Sequence, residues 1–229
     1  NNLKLIIWLR KTGFDRLYDL QSNDRTSLIT ALSGIDFRAG NHPRFPYNKH
    51  PDSTYAGQCH AFERLNKIIE SAGIKKADPK PFLPIRNNNQ DKVTNWLKSN
   101  KLIDKPFVLI HAGSSMSHLK KRWPYYAELA KVLSKNNFKV VWIGANEDIE
   151  INKKLSDETG INATNQFTIE ELIELGKNAS FAITNDSAPM HILSCSDIPV
   201  YCFFSPNNPH RTHALGQSNK VIFACGDMH

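Results

Sequence analysis

The chain has 229 residues, of which 40% are hydrophobic and 22% charged, and its formal net charge is +7 at pH 7. This composition is typical of a soluble globular protein, and the lack of an apolar run of about 18 residues excludes a membrane-spanning helix. The length suits one large α/β domain or two smaller domains. The basic excess is compatible with binding to a nucleic acid, an anionic membrane surface or a phosphorylated substrate, and it does not distinguish among these partners.

The first 84 residues show one strand–loop–helix pattern. In chain order, the periodicity predicts a helix over 3–12, a short strand over 17–20, a polar turn over 21–27, a helix from Leu28, an irregular loop over 40–56 and a helix over 58–72. A single unit of this kind cannot form a parallel sheet. We therefore predict that residues 1–84 are the end of a larger α/β domain whose first strands lie upstream, so that this domain is incomplete in the chain.

A change in composition separates this domain from a second one. The proline-rich residues 80–84 and the polar residues 87–90 are typical of an interdomain linker, which places the second domain at 85–229. There, short apolar strands alternate with amphipathic helices, which indicates βαβ units and a parallel sheet covered on both faces. The predicted strands are 107–111, 138–143, 180–184 and 199–204, and the predicted helices are 124–135, 147–158, 169–176 and 189–195.

The turn after the first of these strands has the composition of a phosphate site. Ligands of open parallel sheets bind at the carboxyl ends of the strands, so the turns there are informative about function. Residues 111–124 combine small hydroxyl residues, Ser114 and Ser115 among them, with three consecutive cations at 120–122. Small residues allow close approach of the backbone, and cations neutralise phosphate oxygens. A solvated basic turn before a helix is the alternative.

The turn after the next strand, 144–148, contains Glu147. An acidic side chain at this point can accept hydrogen bonds from both hydroxyl groups of a nucleotide ribose. The alternative is an ordinary acidic residue that complements the dipole of the following helix. This turn is therefore evidence for a nucleotide site only together with the other two turns.

The third turn, 184–191, predicts an anion-binding helix start. Asp186 and Ser187 are favoured N-cap residues and Pro189 suits the first helical turn, so free backbone N–H groups are expected to point toward a ligand. His191 lies on the same first turn of that helix and is predicted to contact the ligand. Together, the three turns predict a nucleotide diphosphate site.

Other functional motifs are missing from the sequence. It contains no Gly-x-Gly-x-x-Gly, no Gly-x-x-x-x-Gly-Lys-Ser/Thr and no Gly-x-Ser-x-Gly. The sequence therefore does not indicate a dehydrogenase, a P-loop NTPase or a serine hydrolase. It also contains no Asp-x-Asp pair, so a departing phosphate is expected to be neutralised by cations and helix dipoles. His210, His213 and the four widely spaced cysteines lack metal-ligand spacing, and we expect reduced thiols in a cytosolic protein.

Four segments of the chain resemble glycosyltransferase family 9, the family of the ADP-heptose:lipopolysaccharide heptosyltransferases. The segments are 14–27, 111–124 with its terminal Lys-Arg-Trp-Pro, 144–147, and 185–191 followed by the turn 204–209. The last is the most specific, because Asn-Asp-Ser-Ala-Pro-Met-His is similar to the family's Asn-Asp-Thr/Ser-Gly-Pro-Met-His. The resemblance covers nearly the whole chain and therefore applies to both predicted domains.

This resemblance implies a GT-B fold, with two Rossmann-like domains built on parallel sheets and an N-terminal domain that is incomplete here. It implies an enzyme that transfers a heptose from ADP-heptose to a lipopolysaccharide inner-core hydroxyl, with no metal ion and no cofactor beyond the donor substrate. Lys121 and His191 are the implied catalytic residues. By motif, the donor-binding residues are Ser114, Ser115 and Lys121 for the diphosphate, Glu147 for the ribose, and Asp186, Ser187, Ala188 and His191 for the pyrophosphate and sugar.

The resemblance also implies an acceptor side on the N-terminal domain. Gln21, Asn23 and Arg25 are expected there. The family's general base is an Asp after the first strand of that domain, and we expect it upstream of this chain. A lipopolysaccharide acceptor at a membrane surface implies a cytoplasmic enzyme, either free or peripheral at the inner face of the inner membrane. A transmembrane segment and a nucleic-acid partner are not expected.

Two departures from the family pattern leave other functions open. Ala188 stands where the family usually has glycine, which places a methyl group where the backbone approaches the phosphate. In addition, the expected general base is not in the chain. The alternatives are a non-catalytic binder of nucleotide sugars and a GT-B enzyme that uses another nucleotide sugar. An apolar strand followed by a Gly-Asp turn upstream would favour the enzyme over the binder.

Overall fold

The computed structural model describes residues 2–52, 59–205 and 207–223. The chain divides into two compact units, one of residues 1–79 with 210–212 and one of residues 80–209 with 213–229. Residues 53–58 lie outside the described part, and with them the end of the predicted loop 40–56 and the first residue of the predicted helix 58–72. Each unit contains a parallel sheet.

Up to residue 79, the described part of the first unit contains three helices and a two-stranded parallel sheet. In chain order the elements are α1 (Asn2–Thr12), β1 (Arg16–Tyr18), α2 (Asp24–Leu32), β2 (Phe37–Ala39) and α3 (Ala61–Ser71). The sequence did not predict β2, because three residues are too few to show an alternating pattern. Ala39 and Ile68 are fully buried, and Tyr18 and Phe37 pack against them. This small core joins the sheet to α3.

The loop after β1 is held in place by the buried carboxylate of Asp19. Its Oδ1 accepts hydrogen bonds from the backbone amides of Ser22 at 2.7 Å and Gln21 at 3.2 Å. Its Oδ2 accepts the hydroxyl hydrogen of Tyr47, whose oxygen also lies 2.7 Å from Oγ of Ser27. Burial and the hydrogen bond to Asp19 raise the pKa of Tyr47 to about 12. The loop therefore depends on a protonated tyrosine.

We expect the first unit to lose stability as the pH rises from 10 to 12, because Tyr47 then loses the proton with which it stabilises the fold. The pKa of about 12 in the folded protein exceeds the ordinary 10.0, so the contribution of Tyr47 is complete below pH 10 and is lost as the pH rises through 12. Urea unfolding across this range measures the effect. Tyr47→Phe should show a smaller alkaline loss than the wild type, whereas Tyr125→Phe, at an exposed tyrosine, should show the same loss. Equal losses in all three proteins would contradict this prediction.

From residue 80 onward, the described chain forms a six-stranded parallel sheet with helices. The elements are α4 (Asn87–Ser99), β3 (Phe107–His111), α5 (Tyr126–Lys135), β4 (Lys139–Trp142), α6 (Ile149–Glu158), β5 (Ile161–Asn162), α7 (Ile169–Lys177), β6 (Phe181–Asn185), α8 (Ala188–Ser194), β7 (Val200–Phe204), α9 (Pro209–Thr212) and β8 (Val221–Phe223), with 3-10 helices at Met116–Lys121, Asn146–Asp148 and Ser218–Lys220. Among the helices in residues 2–52, 59–205 and 207–223, none has the length and apolar character needed to cross a membrane.

Both faces of this sheet are buried, as the sequence predicted. Successive residues of β3 point to opposite faces. Phe107 and Leu109 belong to one core cluster, which contains residues of α4, α7 and α8. Val108 and Ile110 belong to a second cluster, which contains residues of α5 and α6. The continuous apolar run of β3 therefore results from burial on two sides.

The prediction of a linker over residues 87–90 is wrong, because these residues begin α4. Val93 and Leu97, which lie four residues apart on this helix, are buried in the core. The asparagine-rich start of α4 resembles a loop in composition, and tertiary packing of its apolar face outweighs that local preference. The strands β5 and β8 were not predicted either, since they have only two and three residues.

The strand order is β5-β4-β3-β6-β7-β8. The chain runs outward from β3 through β4 to β5 and then returns to β6, which pairs with the other side of β3, His111 opposite Thr184. This reversal is the topological switch point at which dinucleotide-binding sheets open a crevice beyond the strand ends. The turns after β3, β4 and β6 meet at this crevice.

Candidate functional site

A cavity of about 460 Å³ lies at the carboxyl ends of β3, β4 and β6. Its size is that of a small-molecule site. All three turns that the sequence singled out contribute to its wall. The lining residues are His111, Ser114, Ser115, His118, Lys121, Ile143, Gly144, Ala145, Glu147, Asp148, Phe167, Thr168, Ile169, Leu172, Asp186, Ser187, Ala188, Pro189 and Ile192.

Lys121 and Asp186 form an ion pair in the wall of the cavity. Nζ of Lys121 lies 2.7 Å from Oδ2 of Asp186 and 3.3 Å from its carbonyl oxygen. The side chains are 17% and 8% exposed, so water screens the pair only weakly. Nδ2 of Asn207, a residue for which the sequence suggested no role, also donates to Oδ2 of Asp186. The pair joins the first turn to the third and fixes a cation in the cavity wall.

Asn185 holds the first turn in place with its whole side-chain amide. It is fully buried at the end of β6. Its Oδ1 accepts the backbone N–H of Trp123 at 3.1 Å and the hydroxyl of Tyr126 at 3.0 Å. Its Nδ2 donates to the carbonyls of Ala112 at 3.1 Å and Gly113 at 2.9 Å. These contacts use both donors and both acceptor lone pairs of the amide. Asn185 is part of the most specific motif, but its role in the first turn was not predicted from the sequence.

Ser114 and Ser115 both line the cavity, but their hydroxyl groups have different surroundings. Ser114 is buried, and its Oγ donates to the carbonyl of His118 at 3.0 Å, while its own carbonyl accepts from Nη2 of Arg122 at 3.1 Å. Ser115 is exposed, and its Oγ lies 2.9 Å from Nδ1 of His118 and 3.1 Å from Oγ of Ser117. Ser115 therefore offers the more accessible hydroxyl, and Ser114 fixes the shape of the turn.

The second turn directs one carboxylate toward the ligand space and one into the protein. Glu147 is exposed and lines the cavity, whereas Asp148 is 5% exposed. Gly113 and Gly144 make room for Asp148. A methyl group at Gly113 would collide with the carboxylate, and one at Gly144 would come within 2.6 Å of Cβ of Asp148. These glycines are thus required for close packing.

His111, the last residue of β3, contacts both the second and the third turn. Its Nε2 lies 3.3 Å from Oδ2 of Asp148, and its Nδ1 lies 3.2 Å from Oγ of Ser187. Burial works to raise the pKa of Asp148, but the hydrogen bonds from His111 and from the Ala145 amide outweigh it, so the pKa of Asp148 is lowered. Asp148 is therefore ionised. Neither His111 nor Asp148 was assigned a role from the sequence.

The third turn starts α8 as predicted, but it offers fewer free N–H groups than expected. The helix has seven residues with Ser187 as its N-cap. The Met190 amide donates to the Ser187 carbonyl at 3.1 Å, and Pro189 has no N–H, which leaves the amides of Ser187 and Ala188 for a ligand. Ala188 has helical backbone, so its methyl group affects only the space in the cavity. His191 is exposed and is not among the lining residues.

One wall of the cavity is apolar, which was not predicted from the sequence. Phe167 directly precedes the N-cap of α7, Ile169 and Leu172 lie at its start, and Ile143 and Ile192 complete the wall. Ile169 is 57% exposed directly after Thr168, the N-cap of α7. An apolar residue at a helix start after a strand end is a signal that could have indicated this wall.

The residues predicted for the acceptor side lie around the start of α2 in the first unit. Asn23 is the N-cap of α2, where its Oδ1 accepts from the Thr26 amide at 2.9 Å and its own amide donates to Oγ1 of Thr26 at 3.1 Å. This capping box occupies the Asn23 side chain. Gln21 and Arg25 are exposed, and Nε of Arg25 donates to Oδ1 of Asn2 at 3.1 Å.

In the part of the chain that the structure describes, no group of three His, Cys, Asp or Glu side chains could hold a metal ion. His213 lies with its Nδ1 2.9 Å from the carbonyl of Pro209.

The chain matches known proteins over nearly its whole length. The model of glycosyltransferase family 9 (heptosyltransferase) matches residues 2–227. Lipopolysaccharide heptosyltransferase 2 of Salmonella typhimurium is 24% identical over 231 residues, which are 93% of this chain and 66% of that protein. The chain thus spans just under two thirds of the length of this curated relative.

Solved structures show the same fold. A glycosyl transferase of family 9 from Veillonella parvula superposes with a TM-score of 0.79 at 22% identity, covering 98% of this chain and 67% of that one. The Escherichia coli heptosyltransferase WaaC, solved with ADP, superposes with a TM-score of 0.67 at 19% identity, covering 99% and 71%. The likeness confirms the predicted α/β class with parallel sheets of GT-B type. An incomplete N-terminal domain stays a prediction.

Proposed function

Since the chain belongs to glycosyltransferase family 9, the heptosyltransferase family, we propose that it transfers a heptose from ADP-heptose to an inner-core hydroxyl of lipopolysaccharide without a metal ion. The observation that carries the proposal is the cavity of the second unit. There, an apolar wall, the exposed carboxylate of Glu147 and the cation of Lys121 line one space. These surfaces suit the base, the ribose and the diphosphate of a nucleotide sugar.

The apolar wall and Glu147 are proposed to bind the nucleoside. A flat base buries its faces against apolar side chains such as Phe167 and Leu172, and the ribose hydroxyls donate to the Glu147 carboxylate. The Escherichia coli relative that was solved with ADP supports an adenine nucleotide. The name of the Salmonella relative supports a heptose and a lipopolysaccharide acceptor.

Lys121 is proposed to neutralise the charge that develops on ADP as the bond between sugar and phosphate breaks. Its ammonium group is already fixed by Asp186 at 2.7 Å, so it needs little reorganisation during the reaction. The hydroxyl of Ser115 and the amide of Ala188 are further donors for phosphate oxygens, next to the buried Ser114. A fixed cation with such donors can do the work that a metal ion does in other sugar transferases.

The remaining assignments follow the family pattern. Gln21, Asn23 and Arg25 are proposed to lie on the acceptor side, and His191 is proposed as a second catalytic residue. The general base is proposed to be a carboxylate upstream of this chain. The enzyme is proposed to work in the cytoplasm, either free or peripheral at the inner face of the inner membrane.

Incubation of the protein with ADP-heptose and a lipopolysaccharide core acceptor tests this function. We expect release of ADP that depends on the acceptor. UDP-sugars in parallel reactions distinguish ADP-heptose from other donors, and a preference for one of them would favour a GT-B enzyme with a different substrate. If no pair of donor and acceptor leads to nucleotide release, the chain does not catalyse the transfer.

A binder without catalysis is the second candidate, and the pairing of the cavity carboxylates favours it. Asp148 is bonded to His111 and Asp186 to Lys121, which leaves Glu147 as the exposed carboxylate among the described lining residues. A base that activates an acceptor hydroxyl needs to reach that hydroxyl. Calorimetry that shows ADP-heptose binding, together with no release of ADP, would support the binder.

We expect Glu147→Gln to weaken ADP binding about tenfold, because the ribose hydroxyls lose a charged acceptor. Calorimetric titration with ADP measures this change. Glu150→Gln is the matched control, since Glu150 is exposed nearby on α6 but does not line the cavity. Equal affinities for ADP in the two variants would contradict the assignment of Glu147 to the ribose.

A further inference from the structure

The side chain of His111 links two walls of the cavity. It is 6% exposed, and its two ring nitrogens face different elements. Nε2 lies 3.3 Å from Oδ2 of Asp148 in the second turn, and Nδ1 lies 3.2 Å from Oγ of Ser187 at the start of α8. A carboxylate, an imidazole and a hydroxyl thus form a continuous chain along the wall that faces the ligand.

The carboxylate of Asp148 decides which ring nitrogen of His111 carries the hydrogen. Asp148 is ionised and can only accept hydrogen bonds, and its Oδ2 already accepts the Ala145 amide at 3.0 Å. In the neutral imidazole, the hydrogen therefore lies on Nε2 and points at Asp148. Nδ1 is left with a lone pair, which accepts the hydroxyl hydrogen of Ser187.

The hydroxyl hydrogen of Ser187 also has a second acceptor in the protein. Oγ lies 3.2 Å from the carbonyl of Asn185 as well as 3.2 Å from Nδ1 of His111. In either orientation the single hydrogen is used within the protein, so the lone pairs of Oγ remain for a ligand. An ionised phosphate has no hydrogen to donate to them, whereas a sugar hydroxyl does.

We propose that His111, oriented by Asp148, is a positioning residue that keeps Ser187 as a hydrogen-bond acceptor for a hydroxyl of the transferred sugar. This rests on the proposed nucleotide-sugar function, and it narrows the role of Ser187, which the family resemblance places at the pyrophosphate and sugar, to the sugar. His111 and Asp148 act through Ser187 and do not touch the reacting atoms.

Calorimetric titration of the protein with ADP and with ADP-heptose separates a sugar contact from a phosphate contact. Ser187→Ala is expected to weaken ADP-heptose binding about tenfold and to leave ADP binding unchanged. Ser115→Ala removes a hydroxyl at a proposed phosphate contact and is expected to weaken both ligands. If Ser187→Ala weakens ADP as much as ADP-heptose, Ser187 binds phosphate and the proposal is overturned.

Substitution of His111 tests whether it acts through Ser187. In His111→Gln, the side-chain amide reaches the position of Nε2, so Asp148 keeps a partner and Ser187 loses one. We expect an affinity for ADP-heptose between those of the wild type and Ser187→Ala, because the Asn185 carbonyl still accepts the Ser187 hydrogen but His111 no longer fixes its orientation, with thermal unfolding little changed. The double variant with Ser187→Ala should bind as Ser187→Ala alone, because the two residues act as a unit. Additive losses would overturn the proposal.

Nitrogen NMR of His111 in the neutral imidazole gives a readout that needs no ligand. We expect a protonated Nε2 and an unprotonated Nδ1 whose resonance shifts in Ser187→Ala. A hydrogen on Nδ1 would overturn the link. A protein that binds neither ADP nor ADP-heptose would overturn the proposed function, and the NMR result would still decide whether His111 orients Ser187.

Discussion

Lys121→Ala is expected to lower the rate of heptosyl transfer about 10²–10³-fold, as the loss of one fixed charge-stabilising group does in other enzymes. The Lys121 side chain is 17% exposed, and its ammonium group lies 2.7 Å from Oδ2 of Asp186 in the cavity wall. It therefore acts in a weakly screened setting, where a charge on the departing diphosphate is strongly stabilised. Steady-state release of ADP with saturating donor and acceptor measures the change.

Three variants control for this prediction. Lys120→Ala removes a neighbouring cation that is exposed and does not line the cavity, so we expect a rate close to that of the wild type. Arg122→Ala should have an intermediate effect, because Nη2 of Arg122 donates to the Ser114 carbonyl and supports the turn. Lys121→Arg keeps the charge and should retain more activity than Lys121→Ala.

The loss of Lys121 also leaves Asp186 without its ammonium partner, and a further variant separates this effect. In Lys121→Ala with Asp186→Asn, the uncompensated carboxylate is absent, so any recovery of folding stability measures the cost of the unpaired charge. We expect stability to recover and the rate to stay low. Similar rates in Lys121→Ala and Lys120→Ala would remove Lys121 from its proposed role.

Asn185→Ala is expected to lower the free energy of unfolding by about 3–4 kcal/mol, since it leaves several buried polar groups without partners. The amide of Asn185 bonds to Trp123, Tyr126, Ala112 and Gly113, and the residue is fully buried. Affinity for ADP should fall as well, because these bonds hold the first turn of the cavity. Urea unfolding and calorimetry measure the two effects.

Two further variants, Asn185→Asp and Asn95→Ala, are the controls for Asn185→Ala. Asn185→Asp keeps an acceptor for Trp123 and Tyr126 but places an oxygen against the carbonyls of Ala112 and Gly113, so it should destabilise at least as much as alanine. Asn95→Ala, on the exposed face of α4, should change stability by less than about 0.5 kcal/mol. A loss in Asn185→Ala no larger than in Asn95→Ala would show that the buried network contributes little.

The sequence by itself determined the class of the fold and which three turns line the cavity. The strands β3, β6 and β7 are continuous apolar runs, because a parallel sheet with both faces covered needs apolar side chains on both sides. These strands and the helices α5 to α8 were therefore predicted within two residues, whereas α2 begins four residues before its predicted start. Since ligands bind beyond the carboxyl ends of such strands, the turns that hold Lys121, Glu147 and Asp186 could also be predicted to line the site.

Tertiary structure alone decided the short elements and the partners of the buried polar groups. β2, β5 and β8 have too few residues to show a period, and α4 owes its helix to the packing of Val93 and Leu97. Asn185 bonds to Ala112 across 73 positions of sequence, and Ser187 lies near His111 across 76. A hydrogen bond forms only when the donor–acceptor distance is right to within a few tenths of an ångström. Only the packed sheet brings residues so far apart in sequence to that distance.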